Sequence, residues 1–333
     1  MDKVFLDVLN FIFISAAIYF SIASICIVFG KRSKRSSTQN NLAFDELASD
    51  KSATDYTKLP QLKSYQTRDG KRLPYRHYDA KSDKVVVFLH GSGWHSQYLF
   101  PLTDFLSSEG LAQVYTPDLR GHGQAPERRG DVDYIDQLED DLADFIELIK
   151  TEHPDCKLIV AGHSSGGGLA VRFAGSRYGK RVDAYVLLSP YLKYNAPIMR
   201  PNSGGWAAPH TLRIVGLTML NNIGIHQFDY VIAIDFNMPQ EFRNGTETLS
   251  YTHRLNTAFA PRNYKQDLCA ITQPLLVLVG TADEAFIAEQ FEPVFSQYTS
   301  AQVTLLPDVT HMGVVVNPAV RPILRQWFEN LHV

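Results

Sequence analysis

Residues 157–175, KLIVAGHSSGGGLAVRFAG, constrain the fold of this chain more than any other stretch. Leu158–Ala161 is apolar throughout, as a strand buried on both faces should be. It runs straight into Gly162-His163-Ser164-Ser165-Gly166-Gly167-Gly168, and the LAVRFAG that follows reads as a helix. A strand that turns into a helix within so few residues strains the backbone at the apex, so the positions two before and two after must be nearly free of side chain. Gly162 and Gly166 meet that condition for Ser164. Ser165 fails it, because position 163 is His rather than Gly. A glycine-rich turn that merely packs a helix on a sheet would carry similar residues, so the surrounding pattern has to decide.

That pattern is an alternation. Leu62–Thr67 and Leu73–Tyr78 flank Asp69-Gly70, which is a hairpin signal. Lys84–Leu89, Ala112–Thr116, Ala184–Leu188 and Leu275–Val279 read as further strands, mostly apolar on both faces. Ile135, Leu138, Leu142, Phe145 and Ile149 recur at helical spacing between two of them, and Pro318–Leu331 is a plausible closing helix. Strands alternating with helices imply an α/β protein with a mostly parallel, doubly wound sheet and ligands outside the carboxyl ends of its strands. Composition agrees. With 45% hydrophobic and 20% charged residues, the 333-residue chain is neither disordered nor a disulfide-stapled mini-domain. A net charge of −3 speaks against nucleic acid as a partner. Cys26, Cys156 and Cys269 have no zinc-site spacing and no other ligand cluster offers a metal site, and no cofactor is expected.

The amino terminus is a different object. Val8–Gly30 is an uncharged run of 23 residues, roughly 34 Å long as a helix and able to cross a bilayer. It is too long for a signal-peptide core and starts with Asp2, Lys3 and Asp7, which suggests a retained single-pass anchor. Lys31-Arg32-Ser33-Lys34-Arg35 follows at once, and the positive-inside rule then puts the rest of the chain on the cytoplasmic side. The triplet Asn244-Gly245-Thr246 points the other way, though such sequons are common by chance. The expected division is a transmembrane anchor at 1–30 and a polar linker at 31–60, with a short helix around Leu42–Leu47.

The motifs fall immediately after strands. Ser164 in G-x-S-x-G is the candidate nucleophile, and a serine hydroxyl needs a base at neutral pH. His311 follows the strand-like AQVTLL, whereas His332 is penultimate and suits catalysis poorly. For the acid that orients the imidazole, Asp283 lies on the loop after Leu275–Val279, with Glu284 and Asp308 as rivals. Oxyanion donors are expected from the N–H groups of Ser165 and Ser92, the latter in His90-Gly91-Ser92-Gly93. Gly91 and Gly93 would let the backbone approach substrate, and His90 would hold the loop by bonding its backbone.

Together HGSGWHS (90–96), DLRGHG (118–123), GHSSGG (162–167), VGTADE (279–284) and THMG (310–313) resemble the α/β-hydrolase superfamily. The branch they resemble holds monoacylglycerol lipases, lysophospholipases and serine aminopeptidases. The resemblance implies an α/β-hydrolase core at 61–190 and 269–333, a cap or lid insertion at 191–268, and a structural role for Asp118 and His122. His210, His226 and His253 would lie in the cap as structural or surface groups. The expected activity is membrane-anchored hydrolysis of an acyl or lipid ester such as a monoacylglycerol or lysophospholipid. A peptidase or an acyltransferase on the same triad is the alternative, and a non-catalytic binding protein is a further one.

Overall fold

The computed structural model describes residues 2–31, 42–47 and 55–331. The expected basic stop at 32–35, most of the linker and His332 lie outside them. In chain order the first half holds α1 (Asp2–Phe29), a helical turn over 44–47 (α2), β1 (Lys63–Gln66), β2 (Arg72–Tyr78), β3 (Lys84–Leu89), α3 (Phe100–Ser108), β4 (Gln113–Pro117), α4 (Gln137–Glu152), β5 (Lys157–His163), α5 (Ser165–Ala174) and β6 (Ala184–Leu188). There follow β7 (Ala207–Pro209), α6 (Thr211–Asn221), β8 (Ile232–Phe236), β9 (Ser250–Thr252), α7 (His253–Phe259) and α8 (Tyr264–Cys269). The chain closes with β10 (Leu275–Gly280), α9 (Phe291–Tyr298), β11 (Gln302–Leu306), α10 (Gly313–Val316) and α11 (Val320–Glu329).

Eight strands form one sheet in the order β1-β2-β4-β3-β5-β6-β10-β11. β1–β2 and β2–β4 pair antiparallel and all other neighbours are parallel. The β1–β2 hairpin closes at Gly70, whose φ of +80° suits a residue without Cβ. Central strands are apolar on both faces because helices cover both: all six residues of β10 are buried. On α4 the stripe Leu138, Leu142, Phe145 and Ile149 packs inward, its period matching the helical turn. This is the α/β-hydrolase fold.

Between β6 and β10 the chain builds a separate layer. β7, β8 and β9 make a small antiparallel sheet against which α6 and α7 pack, while α8 lies on α5 and α9 of the core. Among the bonds that join the cap to the core, the Tyr251 hydroxyl accepts from Gly93 N–H at 2.8 Å and contacts His122 Nε2 at 2.6 Å. The DLRGHG loop is tied down: Asp118 Oδ1 accepts from Ser96 N–H at 2.8 Å, and Arg120 pairs with Asp141 at 2.8 Å.

α1 is the one helix among the described residues long and apolar enough to cross a membrane, with a mean hydropathy of 2.4. Its carboxyl-terminal part packs on α6, where Gly216 lies so close that a Cβ would stand 2.6 Å from Ala23 O. Tyr19 Oη donates to Met219 O at 2.5 Å. Residues 42–47 do not behave as a tether. Leu42, Phe44 and Leu47 are all buried in the core. Three apolar side chains in a polar stretch are enough to dock a single turn, and an average over the whole segment hides them.

Candidate active site

Ser164 stands at the apex between β5 and α5 with φ 53° and ψ −119°, a conformation that costs a residue with a Cβ about 1–3 kcal/mol. Its neighbours explain how the chain tolerates this. A Cβ on Gly162 would meet Gly166 C at 2.4 Å, and one on Gly166 would meet Leu89 O at 2.3 Å. The strand and helix can approach only because both positions are glycine. The apex is then fixed by Ser164 N–H donating to Leu188 O at 3.0 Å and Tyr191 N–H donating to Ser164 O at 2.9 Å.

Three loops after parallel strands converge here. Ser164 Oγ lies 3.0 Å from His311 Nε2, and His311 Nδ1 lies 2.9 Å from Asp283 Oδ2. The carboxylate fixes the tautomer: Nδ1 carries the proton and donates it, leaving Nε2 to accept from the serine hydroxyl. Asp283 Oδ1 accepts from the N–H groups of Ala285 and Phe286, each at 2.9 Å, so the carboxylate cannot swing away. Burial alone would raise the Asp283 carboxyl. The charge and ring N–H of His311 outweigh it and hold the group below the ordinary carboxylate value. Burial likewise disfavours a charged His311, but Asp283 outweighs it and lifts the imidazole above its ordinary 6.5.

The rivals for the acid position sit elsewhere. Glu284 Oε2 accepts from the backbone N–H of His311 at 2.9 Å, and Oε1 from Ala43 N–H at 2.8 Å. Asp308 occupies a turn with φ +58°, its N–H bonded to Thr281 Oγ1. The other core histidines are neutral supports. His90 takes Leu119 N–H on Nε2 and donates from Nδ1 to Gly91 O, and burial drives its pKa down to about 4. In the cap, His210 pairs with Asp235 at 3.0 Å, His226 with Asp229 at 3.1 Å, and His253 is buried. None of these reaches the serine.

The loop after β3 supplies the facing wall. A Cβ on Gly91 would be 3.2 Å from Ser164 Cβ, so that loop lies directly against the candidate nucleophile. Gly93, at φ +79°, faces Trp206, whose Nε1–H donates to Ser92 Oγ at 3.1 Å. Ser165 N–H is the first of α5, where N–H groups have no carbonyl one turn back.

One supporting chain is not visible from motifs. Gly91 N–H donates to Tyr98 Oη at 2.7 Å, Tyr98 Oη–H to His163 Nδ1 at 2.8 Å, and His163 Nε2–H to His311 O at 3.0 Å. It links the loop facing Ser164 to the loop bearing His311. It requires a neutral His163, and burial, aided by the nearby His311, presses that pKa down to about 3. A Tyr in a helical turn carries no sequence signal for this. Tyr98→Phe leaves Gly91 N–H and His163 Nδ1 unsatisfied in the interior. We expect a loss of about 2 kcal/mol in denaturant unfolding and a larger drop in kcat than rise in KM toward a soluble ester. An unchanged kcat would show that the chain supports the fold alone.

Size does not mark this site. A hollow of about 260 Å³ bordered by Ser82, Gln113, His153 and Cys156 lies at the amino ends of the strands, away from Ser164. The free space beside Ser164 itself is only about 10 Å³.

The family model described as "Serine aminopeptidase, S33" matches residues 80–313, which include every residue of the converging loops. Monoglyceride lipase of Mus musculus is 26% identical over 242 residues, covering 68% of this chain and 74% of that protein. Monoacylglycerol lipase of Mycolicibacterium smegmatis is 31% identical over 123 residues, but the match spans only 36% of this chain and 43% of that one. Among solved structures, a soluble variant of monoglyceride lipase from Saccharomyces cerevisiae overlays with a TM-score of 0.64 at 19% identity. That overlay covers 82% of this chain and 95% of the other, and it speaks for the fold.

Proposed function

The chain belongs to the serine aminopeptidase S33 family of α/β-hydrolases, with the serine-hydrolase chemistry typical of that family, and we propose that Ser164, His311 and Asp283 carry the reaction. The observation that supports this reading is the unbroken line Ser164 Oγ–His311 Nε2 and His311 Nδ1–Asp283 Oδ2, at 3.0 and 2.9 Å. Ser164 Oγ attacks the carbonyl carbon while its proton passes to Nε2. Asp283 steadies the imidazolium that results, and the N–H groups of Ser92 and Ser165 receive the developing oxyanion. The imidazolium then protonates the leaving group, giving an acyl-enzyme. Water, deprotonated by the same Nε2, attacks the acyl-enzyme and releases the acid and the free serine.

Two substrate classes are compatible with this chemistry. The family description speaks first for an aminopeptidase-like hydrolase. Glu284 favours it too, since this carboxylate stands beside the triad and could receive a substrate ammonium if Ala43 withdrew. The lining favours an apolar acyl ester: Leu42, Trp94, Trp206 and Met312 surround the serine. The names of the relatives point the same way, toward a monoacylglycerol or another acyl lipid. Retention of α1 as a membrane anchor would bring such a substrate to the site. Its close packing on α6 supports retention, since removing it would uncover Gly216. Exposed Leu212 and Val215 on α6 place further apolar surface on the helix that α1 abuts. The basic run that starts at Lys31 supports a cytoplasmic hydrolase domain.

Turnover of short- and long-chain glycerol monoesters against aminoacyl amides separates the two classes. An acyl-ester hydrolase should prefer the long-chain ester by at least tenfold in kcat/KM over any aminoacyl amide. Preference for an amide with a free amino terminus, lost in Glu284→Gln, would establish the peptidase reading instead.

A further inference from the structure

The reacting serine has almost no room beside it. Free space of about 10 Å³ holds roughly one water, whereas sites for drug-sized ligands run to hundreds. What fills the remainder belongs to the chain itself. Phe44 sits in a box of three aromatic rings, with centroids 5.8 Å from Trp94, 5.4 Å from Trp206 and 5.4 Å from Phe242. Leu42 lies beside it against the serine, and both side chains are almost fully buried. The turn is latched to the loops that bear Asp283 and His311. Ala43 N–H rests on Glu284 Oε1, and the Glu46 carboxyl bonds Thr310.

We propose that residues 42–47 are an internal plug occupying the acyl-chain subsite, and that an apolar substrate chain replaces them. The inference rests on the acyl-ester reading above and adds the position of the chain-binding pocket and its resident occupant. The plug has the chemistry of what it displaces: an aromatic side chain in an aromatic box, and an aliphatic one lining the same space as Ser164. With the turn in place, the free space beside Ser164 is too small for an acyl chain. The two polar latches named above, Ala43 N–H to Glu284 and Glu46 to Thr310, are offset by repulsion between the Glu46 and Glu284 carboxylates. Trp94, Trp206 and Phe242 then line the emptied pocket, and chain-length preference follows from their depth.

The full-length protein in detergent micelles is reacted with ethyl fluorophosphonate or with hexadecyl fluorophosphonate, and hydrogen exchange is followed in the peptide spanning 42–47. Displacement predicts exchange at least tenfold faster with the hexadecyl probe than with the ethyl probe, at equal labelling of Ser164. Leu42→Ala/Phe44→Ala should also label at least fivefold faster with the hexadecyl probe than the parent does. Full labelling by the hexadecyl probe with protection of 42–47 unchanged would overturn the proposal, because the chain would then lie elsewhere. No labelling by either probe would sink the hydrolase reading and the plug with it.

Discussion

Ser164→Ala is expected to lower kcat by about 10⁶-fold toward any substrate and to abolish fluorophosphonate labelling. The size follows from what the residue contributes. Without Oγ there is no bond to carbon and no acyl-enzyme, and the oxyanion donors alone retain a small residue of rate. The backbone at Ser164 makes the same site a test of folding. At φ 53° a Cβ is strained, by about 1–3 kcal/mol, so Ser164→Gly should be as inactive as the alanine variant yet no less stable than the parent. Relief of that strain offsets the extra freedom that glycine brings to the unfolded chain, about 1 kcal/mol. Kinetics with a soluble ester and thermal melts of the three proteins check both halves. Residual labelling of the alanine variant would move the nucleophile to another residue, and Ser165 would be the first to examine.

The elbow was legible in the sequence because its requirement is steric and local: two glycines flank a serine between an apolar strand and a helix. The converging loops were legible because a parallel sheet places everything that matters just after a strand. The structure does bring Ser164, His311 and Asp283 within hydrogen-bonding distance, and it sets Asp308 and the cap histidines apart. Three other features had no such signature. Tyr98 acts through a bond to His163 that depends on how α3 is approached, a tertiary fact. Trp206 reaches Ser92 from a cap whose strands are only three to five residues long, too short for a periodic pattern. Leu42 and Phe44 lay in a polar stretch that reads as a tether, and only the pocket they fill gives them meaning. Local rules found the residues that converge; the side chains that surround them are set by long-range packing.

The second large effect concerns the acid. Asp283→Asn should lower kcat about 10⁴-fold with little change in KM. The amide N–H can donate a hydrogen bond to Nδ1 of His311, which favours the tautomer protonated on Nε2, and that nitrogen can then no longer accept from Ser164. The pH profile carries the more diagnostic sign. His311 works as a base only when neutral, so activity falls as pH drops through its pKa. Asp283 raises that pKa above 6.5 against the pull of burial, and the parent's acid limb in kcat/KM should have its midpoint above 6.5. Removing the carboxylate leaves burial as the dominant influence, so the limb of the variant should move below 6.5 while its plateau sinks. Glu284 raises the same pKa by a smaller electrostatic share, and Glu284→Gln should shift the limb in the same direction by less. Measured between pH 5 and 9 on a soluble ester, the two variants separate the roles. If Glu284→Gln caused the larger collapse and Asp283→Asn kept the parent's limb, the orienting carboxylate would be Glu284, and the 2.9 Å bond from His311 to Asp283 would be structural only.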